Sequence, residues 1–152
     1  MPIHNQFYLI DKKLNTLALQ SRGPIMNVEV SVPTSLAEVW GKQGEKIPPP
    51  QAGIALLDSG ASNTCVDRDV VEKLGIPSIG IQRVYTPQGS QEQNKYPARI
   101  AFPGTTLLAV DFGSVYGATL KNQGIIALIG RDLLSHFVFT YNGPGGFVTL
   151  AF

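Results

Sequence analysis

The sequence predicts an all-β fold with one or two short helices, in a single domain over residues 1–152. Short apolar segments recur along the chain between turn residues, a pattern that is typical of β-hairpin proteins. The 16 glycines and 11 prolines are scattered without a period and supply those turns. A length of 152 residues allows one substantial core, and a hydrophobic content of 43% argues against disorder.

Composition also narrows the classes of function. The net charge is +1 without a long basic run, so nothing in the sequence points to nucleic acid as a partner. No apolar run approaches the roughly 20 residues of a membrane span, and residues 1–6 do not begin a signal peptide. Cys65 is the single cysteine, which suits a reducing compartment. We therefore expect a cytoplasmic protein with no membrane span.

The N-terminal part of the chain predicts three strands. Residues 7–10 and 14–19 are short apolar-rich segments around a turn at 11–13. Residues 25–32 mostly alternate apolar and polar side chains, as a half-buried strand does, and Pro33 ends that strand.

The least regular part of the chain is residues 33–53. Residues 35–40 predict one helical turn, whereas 41–53 are polar and contain three consecutive prolines. We therefore expect 33–53 to be an inserted, largely exposed loop, with no role assigned to it.

The rest of the chain predicts strands and two short helices. Asp67 is a good N-cap for a helix over 68–74, which Gly75 stops, and a second helix is predicted at 131–135. The strands are predicted at residues 54–57, 79–85, 96–102, 107–112, 115–120, 125–129, 137–141 and 147–151.

One segment places an acid where chemistry is often found. The four apolar residues 54–57 predict a buried strand that runs directly into Asp58, Ser59 and Gly60. Burying a carboxylate at a strand end costs free energy unless a partner or a function uses it. Alone, an Asp-Ser-Gly tripeptide is more often a simple turn after a strand.

A second segment changes that interpretation. Residues 125–129 form another apolar strand, which breaks at Gly130 and continues as Arg131-Asp132-Leu133-Leu134. Together, the two segments resemble the motifs of the retropepsin-like aspartic proteases, the single-domain relatives of the retroviral protease, and in particular their bacterial members. The resemblance covers about residues 25 to 152 and implies a single-domain acid-protease β-barrel.

The resemblance implies a role for each residue of the two motifs. Asp58 stands at the catalytic position, with Ser59, Gly60 and Ala61 in the supporting active-site loop. Gly130 stands where the second apolar strand crosses behind that loop. Arg131 stands at the structural arginine, whose usual acidic partner is replaced here by Ser62, so its acceptor is left open. The hairpin tip would be a substrate-binding flap formed by Tyr85, Thr86, Pro87, Gln88 and Gly89, although by itself it is more often an ordinary hairpin.

The chemistry implied by the resemblance needs two carboxyl groups that share one proton. The sequence holds one Asp-Ser-Gly, and its near-copy at Asp111 lacks the hydroxyl, so Asp111 is predicted to be a turn residue. The second acid would then be Asp58 of another copy, which makes the expected enzyme a homodimeric aspartic endopeptidase that hydrolyses peptide bonds. The alternatives are a non-catalytic module of the same fold that binds a peptide or a partner, and a structural β-domain of a larger assembly.

Other catalytic classes have little support in the sequence. The two histidines and Cys65 lack metal-ligand spacing with acids, so no metal or other cofactor is predicted. Cys65, a small residue before a helix, is more often part of a core than a nucleophile. No G-x-S-x-G, Rossmann or P-loop pattern is present.

Overall fold

The computed structural model describes residues 2–10 and 13–151. The strands are β1 (Ile3–Phe7), β2 (Leu9–Ile10), β3 (Lys13–Leu14), β4 (Ile25–Ser31), β5 (Gln51–Leu57), β6 (Cys65–Asp67), β7 (Gly80–Thr86), β8 (Gly89–Ala101), β9 (Val110–Ala118), β10 (Ala127–Ile129), β11 (Val138–Asn142) and β12 (Phe147–Ala151). The helices are α1 (Thr16–Arg22), α2 (Thr34–Lys42), α3 (Arg68–Lys73) and α4 (Arg131–Leu134), with a 3-10 turn at Lys121–Gln123. Strands dominate and the helices are short, so the all-β prediction is confirmed.

The main sheet closes on itself. Its strand order is β4-β5-β10-β6-β9-β8-β7, and β4 also pairs with β8. Six strands therefore form a closed ring, and β7 lies outside it as one arm of the hairpin with β8. The main core of buried apolar side chains draws on strands of this ring together with α3 and α4.

A smaller antiparallel sheet holds the two ends of the described chain together. β12 lies between β1 and β11 and pairs with both along its whole length. Tyr8, Ala18, Leu19 and Val148 form a second small core between this sheet and α1. The hydroxyl of Tyr8 accepts a hydrogen bond from the backbone N–H of Ile25 at 2.6 Å, which ties this unit to the start of β4.

The prediction of a strand over residues 14–19 is wrong, because most of that segment is α1. Asn15 caps the helix, its side chain accepting a hydrogen bond from the N–H of Ala18 at 3.0 Å. Gly23 ends the helix with a φ of 72°, a conformation that favours glycine. β2 and β3 pair as a hairpin whose predicted turn includes Asp11 and Lys12, which lie outside the described residues.

The prediction of a loop over residues 33–53 is also wrong in most of its length. α2 occupies Thr34–Lys42, two turns rather than one, and β5 already begins at Gln51. Leu36, Ala37 and Trp40 pack against the main core. The segment is therefore stabilised as a helix by the burial of one apolar face. Only residues 43–50, with their three prolines, connect the two elements.

Asp111 is not a turn residue, because it lies inside β9, a single strand that runs through Gly113. One oxygen of the Asp111 carboxylate accepts the backbone N–H of Thr34 at 3.1 Å, and the other accepts its hydroxyl at 2.9 Å. Arg99 on β8 pairs with the same carboxylate at 2.6 Å. Asp111 therefore fastens the start of α2 to the barrel. The two strands predicted at 107–112 and 115–120 are thus replaced by one.

Candidate active site

The barrel topology places Asp58 and Gly130 side by side. β5 and β10 are parallel neighbours with Leu57 opposite Ile129, so the residue that follows each strand lies at the same end of the sheet. β6 pairs with the other side of β10. The loop from Asp58 to Thr64, which joins β5 to β6, must therefore cross the end of β10.

The crossing leaves no room for a side chain at position 130. A Cβ built on Gly130 would lie 2.5 Å from the carbonyl carbon and 2.6 Å from the carbonyl oxygen of Asn63. Gly130 is buried, and the atoms it faces belong to the backbone, which cannot rotate away as a side chain can. Glycine at this position is what allows the loop to lie directly on the strand end.

Backbone hydrogen bonds fix the Asp58 loop on this crossing. The N–H of Asp58 donates to the carbonyl of Ile129 at 2.9 Å, and the N–H of Arg131 donates to the carbonyl of Ala61 at 2.9 Å. The N–H of Gly60 donates to Oδ1 of Asp58 at 2.8 Å. A Cβ on Gly60 would lie 2.9 Å from that same oxygen, so glycine permits the close approach. Asp58 is half-buried, whereas Ser59 is exposed.

Arg131 binds the loop through acceptors that the sequence did not identify. Its guanidinium donates to the carbonyl oxygen of Ser59 at 2.7 Å and to the hydroxyl of Ser62 at 2.9 Å. Ser62 thus takes, as a neutral acceptor, the position at which the resemblance implies an acid. Arg131 joins both ends of the turn that carries Gly60 and Ala61.

Two supporting residues were missed by sequence reasoning. Thr64 is fully buried, and the carboxylate of Asp132 accepts its N–H at 2.9 Å and its hydroxyl at 2.7 Å. The hydroxyl of Thr64 in turn accepts the N–H of Gly130 at 3.1 Å. The sequence showed only a threonine six residues after Asp58 and an acid beside Arg131, and the fold brings the two into contact.

The β7–β8 hairpin faces the same loop across a cavity of about 510 Å³. Gly60 and Ala61 line it from the loop, and Tyr85 and Thr86 line it from the hairpin. A hairpin was predicted with its second strand at 96–102, but β8 already begins at Gly89, and residues 89–95 are the ones that pair with β7. The tip closes between Thr86 and Gly89, whose φ is 123°. The other predicted site residues do not line this cavity in the described structure: Asp58, Ser59, Pro87, Gln88, Gly89, Gly130 and Arg131.

A second cavity of about 450 Å³ lies elsewhere, between β9 and α4. Its lining is mainly apolar and includes Leu107, Phe112 and Leu133. Neither the 58–61 turn nor the hairpin contributes to it. The cavity of about 510 Å³ beside the Asp58 loop is therefore the candidate site.

The Cys65 thiol lines the candidate site but is poorly suited to nucleophilic attack. Burial, followed by the nearby charges of Asp132 and Asp58, raises the pKa of Cys65 to about 11. The thiolate is the reactive form of cysteine, and it is scarce at neutral pH when the pKa is this high. The geometry thus agrees with a structural role for Cys65.

The raised pKa of Cys65 predicts a loss of stability in alkali. The unfolded thiol deprotonates near pH 9 and the folded one near pH 11, so the unfolded state holds fewer protons between these values. The free energy of unfolding should therefore fall across this range, by at most about 3 kcal/mol and by about 1–2 kcal/mol after allowance for solvent access. Urea denaturation of wild type and Cys65→Ala at pH 8 and pH 11 measures this, and the decline should be smaller in the variant. The pKa of Tyr8 is also raised, but Tyr8 is present in both proteins and affects both alike. Equal declines would therefore mean that Cys65 makes no contribution.

Comparison with solved structures finds similar folds at low identity. The chain is similar to the protease of simian foamy virus (18% identity, 72% of this chain and 92% of that chain, TM-score 0.43). It is similar to a retropepsin-like aspartic protease from Rickettsia conorii (16% identity, 97% and 88%, TM-score 0.49). It is also similar to the retroviral protease-like domain of Ddi1 from Leishmania major (15% identity, 78% and 82%, TM-score 0.42).

All three TM-scores lie below 0.5 and all three identities below 20%, so we base no conclusion about fold family or activity on these similarities. No protein-family model matches the chain, and no curated protein matches it.

Two further observations concern ions and membranes. Within residues 2–10 and 13–151, no group of three or more His, Cys, Asp or Glu side chains could hold a metal ion. No helix in the described part of the chain is long and apolar enough to cross a membrane.

Proposed function

We propose that this protein is an aspartic endopeptidase that acts as a homodimer and hydrolyses peptide bonds with a water activated by two Asp58 carboxylates. The observation that carries the proposal is the fixed position of Asp58. Its backbone is bonded to the end of β10, and one carboxylate oxygen accepts the N–H of Gly60 at 2.8 Å beside an open cavity. Such a rigid placement is what acid–base catalysis requires of the reacting group.

The proposed reaction uses the two carboxyl groups in different protonation states. The ionised carboxylate removes a proton from a water molecule, and the resulting oxygen attacks the peptide carbonyl carbon. The protonated carboxyl donates a hydrogen bond to the carbonyl oxygen, on which negative charge develops. Collapse of the tetrahedral intermediate breaks the C–N bond, and the leaving nitrogen takes a proton from the pair.

The second carboxyl group is proposed to come from another copy of the chain. Asp132 is engaged by Thr64 through both carboxylate oxygens, and Asp111 is engaged by Thr34 and Arg99. Neither acid is therefore available to share a proton with Asp58. A twofold axis through the Asp58 loops would supply the same residue twice.

The terminal sheet is the surface that we propose for this contact. In the family that the sequence resembles, terminal segments supply much of the dimer interface, which makes residues 147–152 candidates here; Phe152 lies outside the described residues. β12 is already paired on both sides within the chain, so a partner would meet the sheet at β1 or β11. Ile3 and Val138 on those strands are 55% and 63% exposed, so both side chains are accessible to such a partner.

A subunit-mixing experiment tests the shared site. Wild type is mixed with an equal amount of Asp58→Asn under conditions that allow exchange, and peptide cleavage is followed. Since only dimers with two intact carboxyl groups should be active, the rate per total protein should fall to about a quarter of the wild-type rate. A fall to one half would mean that each chain works alone. Sedimentation of wild type at the assay concentration provides the control for dimerisation.

The alternative function is a module of the same fold that binds peptides without cleaving them. The half-buried Asp58 and the cavity beside it would serve either function. A wild-type protein that binds extended peptides but leaves them intact at every pH between 4 and 8 would favour this alternative.

A further inference from the structure

The walls of the candidate site carry almost no charge and combine polar side chains with apolar ones, among them Val84 and Tyr116. The hairpin contributes Gln82 and Gln93, which lie directly opposite each other on β7 and β8, and the loop contributes Ser62 and Asn63. Arg83 is the one lining residue with a formal charge at neutral pH, because the Cys65 thiol stays protonated.

Arg83 lies at the solvent-facing part of this wall. Its guanidinium is 3.8 Å from the carboxylate of Glu92, and the two side chains are 62% and 68% exposed. A pair this open to water contributes little to recognition. The uncharged groups of the cavity that can form hydrogen bonds through their side chains are mainly amides and hydroxyls.

The amide groups of the wall are free to bind a ligand. Gln93 is half-buried whereas Gln82 and Asn63 are exposed, and within the described residues the side-chain amides of all three make no hydrogen bond to the protein. Each amide carries two N–H donors and one acceptor oxygen. An apolar side chain placed against these groups would remove their water without replacing its hydrogen bonds, which is unfavourable.

We infer that the substrate side chain which occupies this cavity is an uncharged hydrogen-bonding one, an amide or a hydroxyl, in preference to an aliphatic or acidic one. This inference rests on the proposed function, since it concerns the substrate of the same site. An amide side chain such as glutamine donates and accepts at once, so it satisfies both kinds of group on Gln82 and Gln93. A site built to hydrogen-bond its substrate discriminates against an isostere that lacks those groups.

Three matched peptides test the preference. A cleaved sequence is first found by exposing a peptide library to the wild-type protein and identifying the products by mass spectrometry. The side chain at each position near the cleaved bond is then varied among glutamine, glutamate and methionine, which have similar lengths. At one position, kcat/KM for the glutamine peptide should exceed that for the other two by about tenfold, the effect of one net hydrogen bond.

Substitutions of residues that line the cavity test whether the peptide position that prefers glutamine is the one bound there. The double variant Gln82→Met with Gln93→Met should bring the ratio of glutamine to methionine peptides close to one. Gln91→Met is the matched control. Gln91 is exposed on β8, the strand that also carries Gln93, and it does not line the cavity. It should leave the ratio unchanged. A library dominated by apolar residues at every position, or a ratio that the double variant does not alter, would overturn the inference.

Binding to Asp58→Asn separates this inference from the proposed function. For this purpose the three peptides are built on a library sequence that immobilised Asp58→Asn retains, and their affinities for that variant are measured by fluorescence anisotropy, which needs no cleavage. A preference for glutamine in binding together with an absence of wild-type cleavage would refute the protease and keep the inference. Cleavage by wild type without any preference among the three peptides would refute the inference alone.

Discussion

Asp58→Asn is expected to abolish peptide cleavage while leaving the folded structure intact. The substitution keeps the shape of the side chain, and its amide oxygen can still accept the N–H of Gly60 that Asp58 accepts at 2.8 Å. It removes the group that exchanges a proton with water, and loss of acid–base catalysis lowers rates by about 10²–10⁴-fold. Because both acids of the proposed pair are lost at once, we expect kcat/KM to fall by about 10⁴-fold or more.

The matched control for this experiment is Asp69→Asn. Asp69 lies on α3, and its carboxylate is 2.8 Å from the Lys121 ammonium in an exposed ion pair. Its loss should change stability slightly and leave kcat/KM near the wild-type value. Circular dichroism and thermal unfolding of both variants check that the folds are equal. Cleavage by purified Asp58→Asn at a rate comparable to wild type would place the chemistry on another residue.

Gly130→Ala is expected to cause the largest loss of stability of any single methyl addition to the site. The new Cβ would lie 2.5 Å from the Asn63 carbonyl carbon, well inside contact distance, at a buried position. Relief requires the 58–64 loop to move off the end of β10, which breaks the bonds between Asp58 and Ile129 and between Arg131 and Ala61. We expect the free energy of unfolding to fall by about 3 kcal/mol or more.

Gly113→Ala supplies the control for the effect of an added methyl group. Gly113 lies in the exposed part of β9, and a Cβ there would meet no atom within 4 Å. Its free energy of unfolding should stay within about 0.5 kcal/mol of wild type. Urea denaturation of the three proteins gives the comparison. Equal midpoints for Gly130→Ala and wild type would mean that the loop does not lie on Gly130 in solution.

The sequence alone was enough to predict helices and strands whose local sequence signals favour the same structure as their tertiary contacts. The apolar run that ends at Asp58 became β5, and the Asp67 cap began α3 as predicted. These signals work because burial of an apolar strand and capping of a helix depend on residues close together in the chain. Residues 14–19 were misjudged, because a short apolar-rich segment suits a strand or a helix. The Asn15 cap and the burial of Leu19 favour the helix α1.

The sequence by itself also identified Asp58, Gly60, Gly130 and Arg131 as candidate site residues, since they stand out in two short motifs. Only the tertiary structure decided how they meet. The acceptors of Arg131 are Ser59 and Ser62, about 70 residues earlier in the chain, and Asp132 finds Thr64 across the same gap. The reason is topological: parallel pairing of β5 with β10 brings two distant strand ends together, and no local propensity encodes that pairing.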